Sequence, residues 1–221
     1  MIASVGCSAS QGAWDGLDPC IELSFPVQGK SIPADHGYAL YAALVHHIPE
    51  LHQQTDLSIL TIPGFPDRQG QINLTKYSCF KIRVPVRKIP LVYQLAGKRI
   101  AIGKHDIQVG IPEVSVIQPA KQLRSRIVTI KGYTEPNLFL SAARRQLAFL
   151  GISGHLSIPL NREGQPSRKT IKIKRYTVVG FSLEVSNLSE EDSLKLQTYG
   201  LGGKRRMGCG IFAPYKGGQN V

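Results

Sequence analysis

The chain has 221 residues, 42% of them hydrophobic, and a formal net charge of +12, which suffices for one sizeable core or two of about 100 residues each. No run approaches the roughly 18 apolar residues of a membrane span, and the start of the chain lacks the basic and apolar regions of a signal peptide, so a soluble, cytoplasmic protein without a membrane partner is expected. Cys7, Cys20, Cys79 and Cys209 show no Cys-x-x-Cys spacing; this argues against a zinc site or a disulfide framework, and no cofactor is expected.

In chain order, "CIELSFPVQG" reads as a strand and "DHGYALYAALVHHI" as a helix, with Asp35 at its N-cap and Pro49 past its end. "LSILTI" and "INLTKYSCFKIRVP" follow as strands around the turn "PGFPDRQGQ". A short helix, "IPLVYQLAG", then precedes the β-branched stretch "KRIAIGKHDIQVG". The second half repeats this β-α-β-β-α-β order. "SRIVTIKG" is a strand and "EPNLFLSAARRQLAFLG" an amphipathic helix between Pro136 and Gly151. "GHLSIPL" and "KTIKIKRYTVVGFSLEVS" are strands, the second of which would set Lys172 and Lys174 on one face. A helix from Ser189 leads to the glycine-rich end. The predicted fold is α+β, with two tandem ferredoxin-like domains at residues 1–115 and 116–221, the join lying in "PEVSVIQPA". One larger mixed sheet with four helices is the alternative.

Charge follows this division. Residues 1–67 hold seven acids and one base, residues 68–181 four acids and twenty-one bases. The cations of "KIRVPVRK", "KQLRSR", "ARRQ" and "SRKTIKIKR" fall on different elements, which describes a basic surface suited to a polyanion rather than a disordered tail. "GLGGKRRMGCGIFA", residues 200–213, adds Gly202, Gly203, Lys204, Arg205 and Arg206. A nucleotide P-loop would open a helix and end in Gly-Lys-Ser/Thr; here the helix comes before the glycines and Arg205 stands where Ser or Thr belongs.

The glycine-rich end, in this order and beside a basic surface, resembles that of the CRISPR-associated repeat-processing endoribonucleases, the sixth Cas family of the RAMP superfamily. "IPADHGYALYAALVHHIPELH", "EPNLFLSAARRQLAFLG" and "LSEEDSLKLQTYGLGGKRRMGCGIFAP" look most like the variant of cyanobacterial and myxobacterial CRISPR loci. The resemblance implies cleavage of precursor CRISPR RNA within each repeat, without a metal ion. The 2′-hydroxyl attacks, leaving a 2′,3′-cyclic phosphate and a 5′-hydroxyl. Such chemistry needs a base, an acid and a cation, and histidine suits the first two. Matching the family's helix on Pro49 places His52 at the catalytic histidine and Tyr41 at an assisting tyrosine, with His36, at the helix start, as a further catalytic candidate. His46 and His47 stay open as substitutes. For RNA binding the expected residues are Gly202, Gly203, Lys204, Arg205 and Arg206 in the loop, Arg144 and Arg145 on the second long helix, and Lys169, Lys172, Lys174 and Arg175 on a hairpin. The expected partners are the repeat RNA, its processed crRNA and other CRISPR effector subunits. Two other readings stay open: a RAMP-fold subunit that holds guide RNA without cutting it, and a ribosomal or transposon-linked structural protein.

Overall fold

A computed structural model describes residues 19–215; readings that fall on the first 18 residues, Cys7 among them, lie outside the described residues. The elements are β1 (Cys20–Gln28), β2 (Ser31–Pro33), α1 (Gly37–His47), β3 (Ser58–Leu60), β4 (Gln71–Asn73), β5 (Cys79–Pro85), α2 (Ile89–Tyr93), β6 (Arg99–Ile102), β7 (His105–Val109), β8 (Glu113–Val116), β9 (Gln122–Val128), α3 (Pro136–Phe149), β10 (His155–Ser157), β11 (Arg168–Ile173), β12 (Tyr176–Ser186), α4 (Glu190–Tyr199) and β13 (Ala213–Pro214). Short 3-10 turns cover Pro49–Gln53 and Arg205–Met207. Among the described residues no helix is long and apolar enough to cross a membrane.

The mixed α+β expectation holds, with two main antiparallel sheets. The first runs β3-β5-β1-β7-β6, with β8 also beside β1. Neighbouring stretches of β1 pair with β7 (Val27↔Val109) and with β8 (Ile21↔Val116). The change falls at Pro26, whose carbonyl accepts from Gly110 N and whose ring offers no donor to that edge. Residues 113–116, read from sequence as part of a linker, are therefore a strand of the first sheet, and the connecting segment begins only after Val116. The second sheet runs β10-β12-β9-β13, with β11 beside the first half of β12.

Strand alternation assigns the two faces of the first sheet. Ile21, Leu23, Phe25 and Val27 of β1 join Phe80, Ile82 and Val84 of β5 in the first core, where Phe25 and Phe80 stack at 5.0 Å. Leu40, Tyr41, Ala43 and Leu44 of α1 close that core. In the second core, Phe139, Ala143 and Leu147 of α3 pack at helical spacing against Phe181 and Leu183 of β12. Each fully buried side chain of this size contributes about 1.5–3 kcal/mol.

Several predicted strands proved to be hairpins, and the backbone at each turn shows where they break. Gly103, at φ 64°, folds "KRIAIGKHDIQVG" into β6 and β7. Lys174, at φ 54°, turns "KTIKIKRYTVVGFSLEVS" into β11 and β12, so Lys172 lies on a strand and Lys174 in a turn rather than on one face. "INLTKYSCFKIRVP" divides at a turn in which Ser78 N donates to Thr75 O. His36, not Asp35, stands at the N-cap position of α1 without a side-chain capping bond; the Asp35 carboxylate accepts from Lys172 N at 2.7 Å, fastening the β11 hairpin to the start of α1. Ser189, where the last helix was expected to begin, is its N-cap, the hydroxyl accepting from Asp192 N.

Candidate active site

The site forms where the glycine-rich loop of the second half lies against α1 and the 3-10 turn after it. Gly200, Gly202, Gly208 and Gly210 all have positive φ. A β-carbon on Gly200 would collide with the Gly210 carbonyl, and one on Gly210 with the Leu201 carbonyl. On the other side of the contact, a β-carbon on Gly37 would collide with the Met207 carbonyl. The glycines thus let two backbones touch.

The contact brings Arg206 to Tyr41 and His52. The Tyr41 hydroxyl and His52 Nδ1 are 2.8 Å apart. The Arg206 guanidinium lies 5.3 Å from the centre of the Tyr41 ring and donates through Nη1 to the backbone carbonyls of Leu51 and His52. Tyr41 is buried while the His52 side chain reaches the surface. One ring nitrogen of His52 is therefore held from below, and Nε2 is left to meet a ligand. Sequence reasoning placed Arg206 among phosphate contacts but did not link it to Tyr41 and His52, because 154 residues separate Arg206 from His52.

The other candidates are distributed differently. His36 is buried, with Nδ1 2.8 Å from the Pro33 carbonyl and Nε2 accepting from Ile62 N. Both nitrogens are engaged with backbone, and burial, opposed by the bond to Pro33, lowers its pKa and keeps the ring neutral. The catalytic expectation for His36 is corrected to a structural one. His46 and His47 sit edge to face on the exposed end of α1, 5.5 Å between centroids. Arg205 is part-buried and donates to the carbonyls of Thr198 and Thr55, which makes it a clamp between the halves. The amides of Gly202 and Gly203 are taken by Gln146 Oε1 and the Thr129 carbonyl, so they offer no donors to RNA. Lys204 is exposed in the left-handed region.

Arg144 and Arg145 stand on the exposed side of α3. Lys172, Lys174 and Arg175 are exposed on the β11–β12 hairpin, and Arg175 packs on Tyr176. Lys169 lines a cleft of about 550 Å³ with Arg124 and Arg126, bounded by Gly208 of the loop and Pro63 beyond β3. Arg124 and Arg126 were not singled out from sequence, although their i,i+2 spacing on a strand was the signal that they share a face.

Comparison with known proteins adds the family. The profile of the Cas6 CRISPR family matches residues 21–217. The chain belongs to the Cas6 family. It is 33% identical over 201 residues to the CRISPR-associated endonuclease Cas6 of Myxococcus xanthus (strain DK1622), covering 91% of this chain and 84% of that one. Among solved structures it is similar to a CRISPR-associated Cas6 protein (TM-score 0.61, 12% identity, 89% of this chain and 99% of that one). It is likewise similar to a Cas6-related protein of Pyrococcus furiosus (TM-score 0.62, 14% identity, 90% and 99%). Those two likenesses establish a shared fold. In this Cas6 chain the glycine-rich loop, β3 and α1 are in direct contact, so the Tyr41, His52 and Arg206 grouping belongs to the packing of the two halves.

Proposed function

We propose that the chain is a metal-independent endoribonuclease that binds the CRISPR repeat and cleaves precursor crRNA by attack of a 2′-hydroxyl, leaving 2′,3′-cyclic phosphate and 5′-hydroxyl ends. The observation that carries this reading is the Tyr41 hydroxyl 2.8 Å from His52 Nδ1, beneath the Arg206 guanidinium. With Nδ1–H donating to Tyr41, the Nε2 lone pair takes the 2′-hydroxyl proton as general base, and a solvent water protonates the leaving 5′-oxygen, the imidazolium then returning its proton to solvent. The 2′-oxygen to phosphorus bond forms as the phosphorus to 5′-oxygen bond breaks. Arg206 supplies positive charge for the phosphorane, its position set by the Leu51 and His52 carbonyls. Two tandem ferredoxin-like units, with their join moved to just after Val116, are the reading that the two sheet orders support. Lys169, Lys172, Lys174, Arg175, Arg124, Arg126 and Lys204 provide the phosphate contacts, and the product crRNA stays available to an effector complex.

The test is cleavage of a labelled repeat RNA in EDTA by wild type and by His52→Ala, beside a substrate carrying a 2′-deoxy at the scissile nucleotide. Wild type cuts; the variant and the 2′-deoxy RNA both stop cutting while binding survives. Cutting by His52→Ala at the wild-type rate removes the assignment of His52, and a wild type that binds but never cuts removes the enzyme.

A further inference from the structure

The glycine-rich loop has a second side, turned away from α1. Where it leaves α4 it forms, with α3, a groove of about 540 Å³ whose walls include Tyr133, Arg145, Gln146, Phe149, Tyr199 and Gly202. Phe149 is 90% exposed and Tyr199 41% exposed, each at the C-terminal residue of its helix. An aromatic ring held in water on a rigid helix gains almost nothing from folding, so its placement is informative when polar groups converge beside it. They do so here. Arg145 Nη2 donates to the Tyr133 hydroxyl at 3.0 Å, with the guanidinium 5.7 Å from that ring, and its other donors have no partner among the described residues. Gln146 Oε1 accepts from Gly202 N at 2.7 Å, which orients the amide and leaves its NH₂ as a donor. No carboxylate lines the groove.

Exposed rings beside a guanidinium and an amide donor, with no acid, suit a planar base rich in acceptors that carries a phosphate. An apolar peptide would leave the Arg145 and Gln146 donors unmatched. We infer that this groove takes one unpaired nucleotide of the RNA, its base against Phe149 and Tyr199 and its phosphate toward Arg145. The inference rests on the RNA-processing reading above. It gives the loop two contacts with one strand, since the segment that forms this wall also carries Arg206, and the bond from Gly202 to Gln146 fixes one relative to the other. A nucleotide seated here would set which phosphate is presented to His52.

The experiment uses the full chain as wild type, Phe149→Ala and Tyr199→Ala, with melting curves to show that each folds. Binding is measured to two fluorescent RNAs: the repeat with unpaired flanks, and the same repeat trimmed to its stem-loop. Loss of one base–aromatic stack predicts about a five- to 150-fold weaker affinity for the flanked RNA in each variant, with the trimmed RNA unaffected. With 4-thiouridine in each flank, photo-crosslinks are expected on the peptides containing Phe149 or Tyr199. Equal affinities for the flanked RNA in all three proteins, with crosslinks elsewhere, overturn the inference. So does a pair of variants that keep RNA affinity but lose a CRISPR protein that wild type retains, which would make the groove a protein-docking surface. A wild type that binds neither RNA defeats the RNA-processing reading itself and takes this inference with it.

Discussion

Replacing Arg83 by Met should come close to unfolding the protein. Arg83 is a β5 residue only 3% exposed. Its Nε donates to Glu22 on β1 at 2.9 Å, and its Nη1 donates to the carbonyls of Gln197 (3.0 Å) on α4 and Phe212 (2.6 Å) at the end of the glycine-rich loop. Methionine fills much of the space but leaves Glu22, whose side chain is 11% exposed, with Lys81 alone. Breaking a buried ion pair from one side costs about 3–5 kcal/mol, and each carbonyl that loses its donor adds about 1–3 kcal/mol. Because these groups share one network the losses do not add, and a total of about 5 kcal/mol is expected, against about 5–15 kcal/mol for a whole domain. Urea melts of the full chain followed by far-UV circular dichroism measure it. Glu22→Leu combined with Arg83→Met should recover about half of the loss, since the stranded carboxylate is gone while the two carbonyls still lack a donor. A single variant within about 1 kcal/mol of wild type, or a double variant no better than the single, would refute the reasoning. The same network sets a pH dependence. Burial raises the Glu22 pKa, but the Lys81 hydrogen bond and the Arg83 charge outweigh it and hold the carboxyl below 4.5. Its contribution is therefore complete above that value and is lost as pH falls through the depressed folded pKa.

Three further outcomes are expected. His36 is held neutral, with a folded pKa below 6.5, so wild-type stability should fall as pH drops from 6.5 toward that folded pKa; urea melts at pH 7.5 and pH 5 should show this slope, and His36→Gln should flatten it while still cutting RNA. Gly210→Ala places a β-carbon against the Leu201 carbonyl at φ 69°, and should cost more than about 3 kcal/mol and slow cleavage. Gly70→Ala, also at positive φ but in open space, should cost about 1 kcal/mol; equal melting curves for the two variants would contradict the packing described. Tyr41→Phe keeps the ring under Arg206 and removes only the hydroxyl that meets His52. Single-turnover cleavage should slow about tenfold, the worth of one such hydrogen bond, with repeat affinity unchanged; wild-type rates would deny the hydroxyl a role.

Much of the fold was legible because apolar periodicity and turn residues agree. The spacing of Phe139, Ala143 and Leu147, with Pro136 before and Gly151 after, described α3 almost to its ends. Turn positions were harder: Lys169 to Arg175 were expected on a hairpin, but Lys172 and Lys174 were read on one strand face, and with no glycine or proline at Lys174 and Arg175 only the φ of 54° at Lys174 shows that β11 and β12 join there. At the site, Tyr41 and His52 were put together by the family resemblance, and the short span of one helix and one turn between them is what lets the fold bring them to 2.8 Å. The roles of Arg205, Arg206 and Arg83 depend on backbone carbonyls of the opposite half, and no local pattern encodes a partner of that kind.

The acidic first third of the chain acquires a purpose in this arrangement. Glu22 holds Lys81 and Arg83, Asp56 holds Arg87 and Lys88, and the Asp35 carboxylate holds the Lys172 amide. Three of the few acids thus fasten strands and helices of the first half to each other or to the second. Glu22 and Asp56 neutralise cations on and just after β5 while the side chains of Lys169, Lys172, Lys174 and Lys204 stay exposed. The charge imbalance in the sequence is in this way converted into a positional one: bases are tied down in the scaffold and left exposed around the cleft and the loop. The glycines act in the same sense. Most of the loop's amides, from Leu201 to Gly203 and from Met207 to Gly210, are bound within the protein, so its contribution is to carry Arg206 across to a histidine on the other half and hold it there.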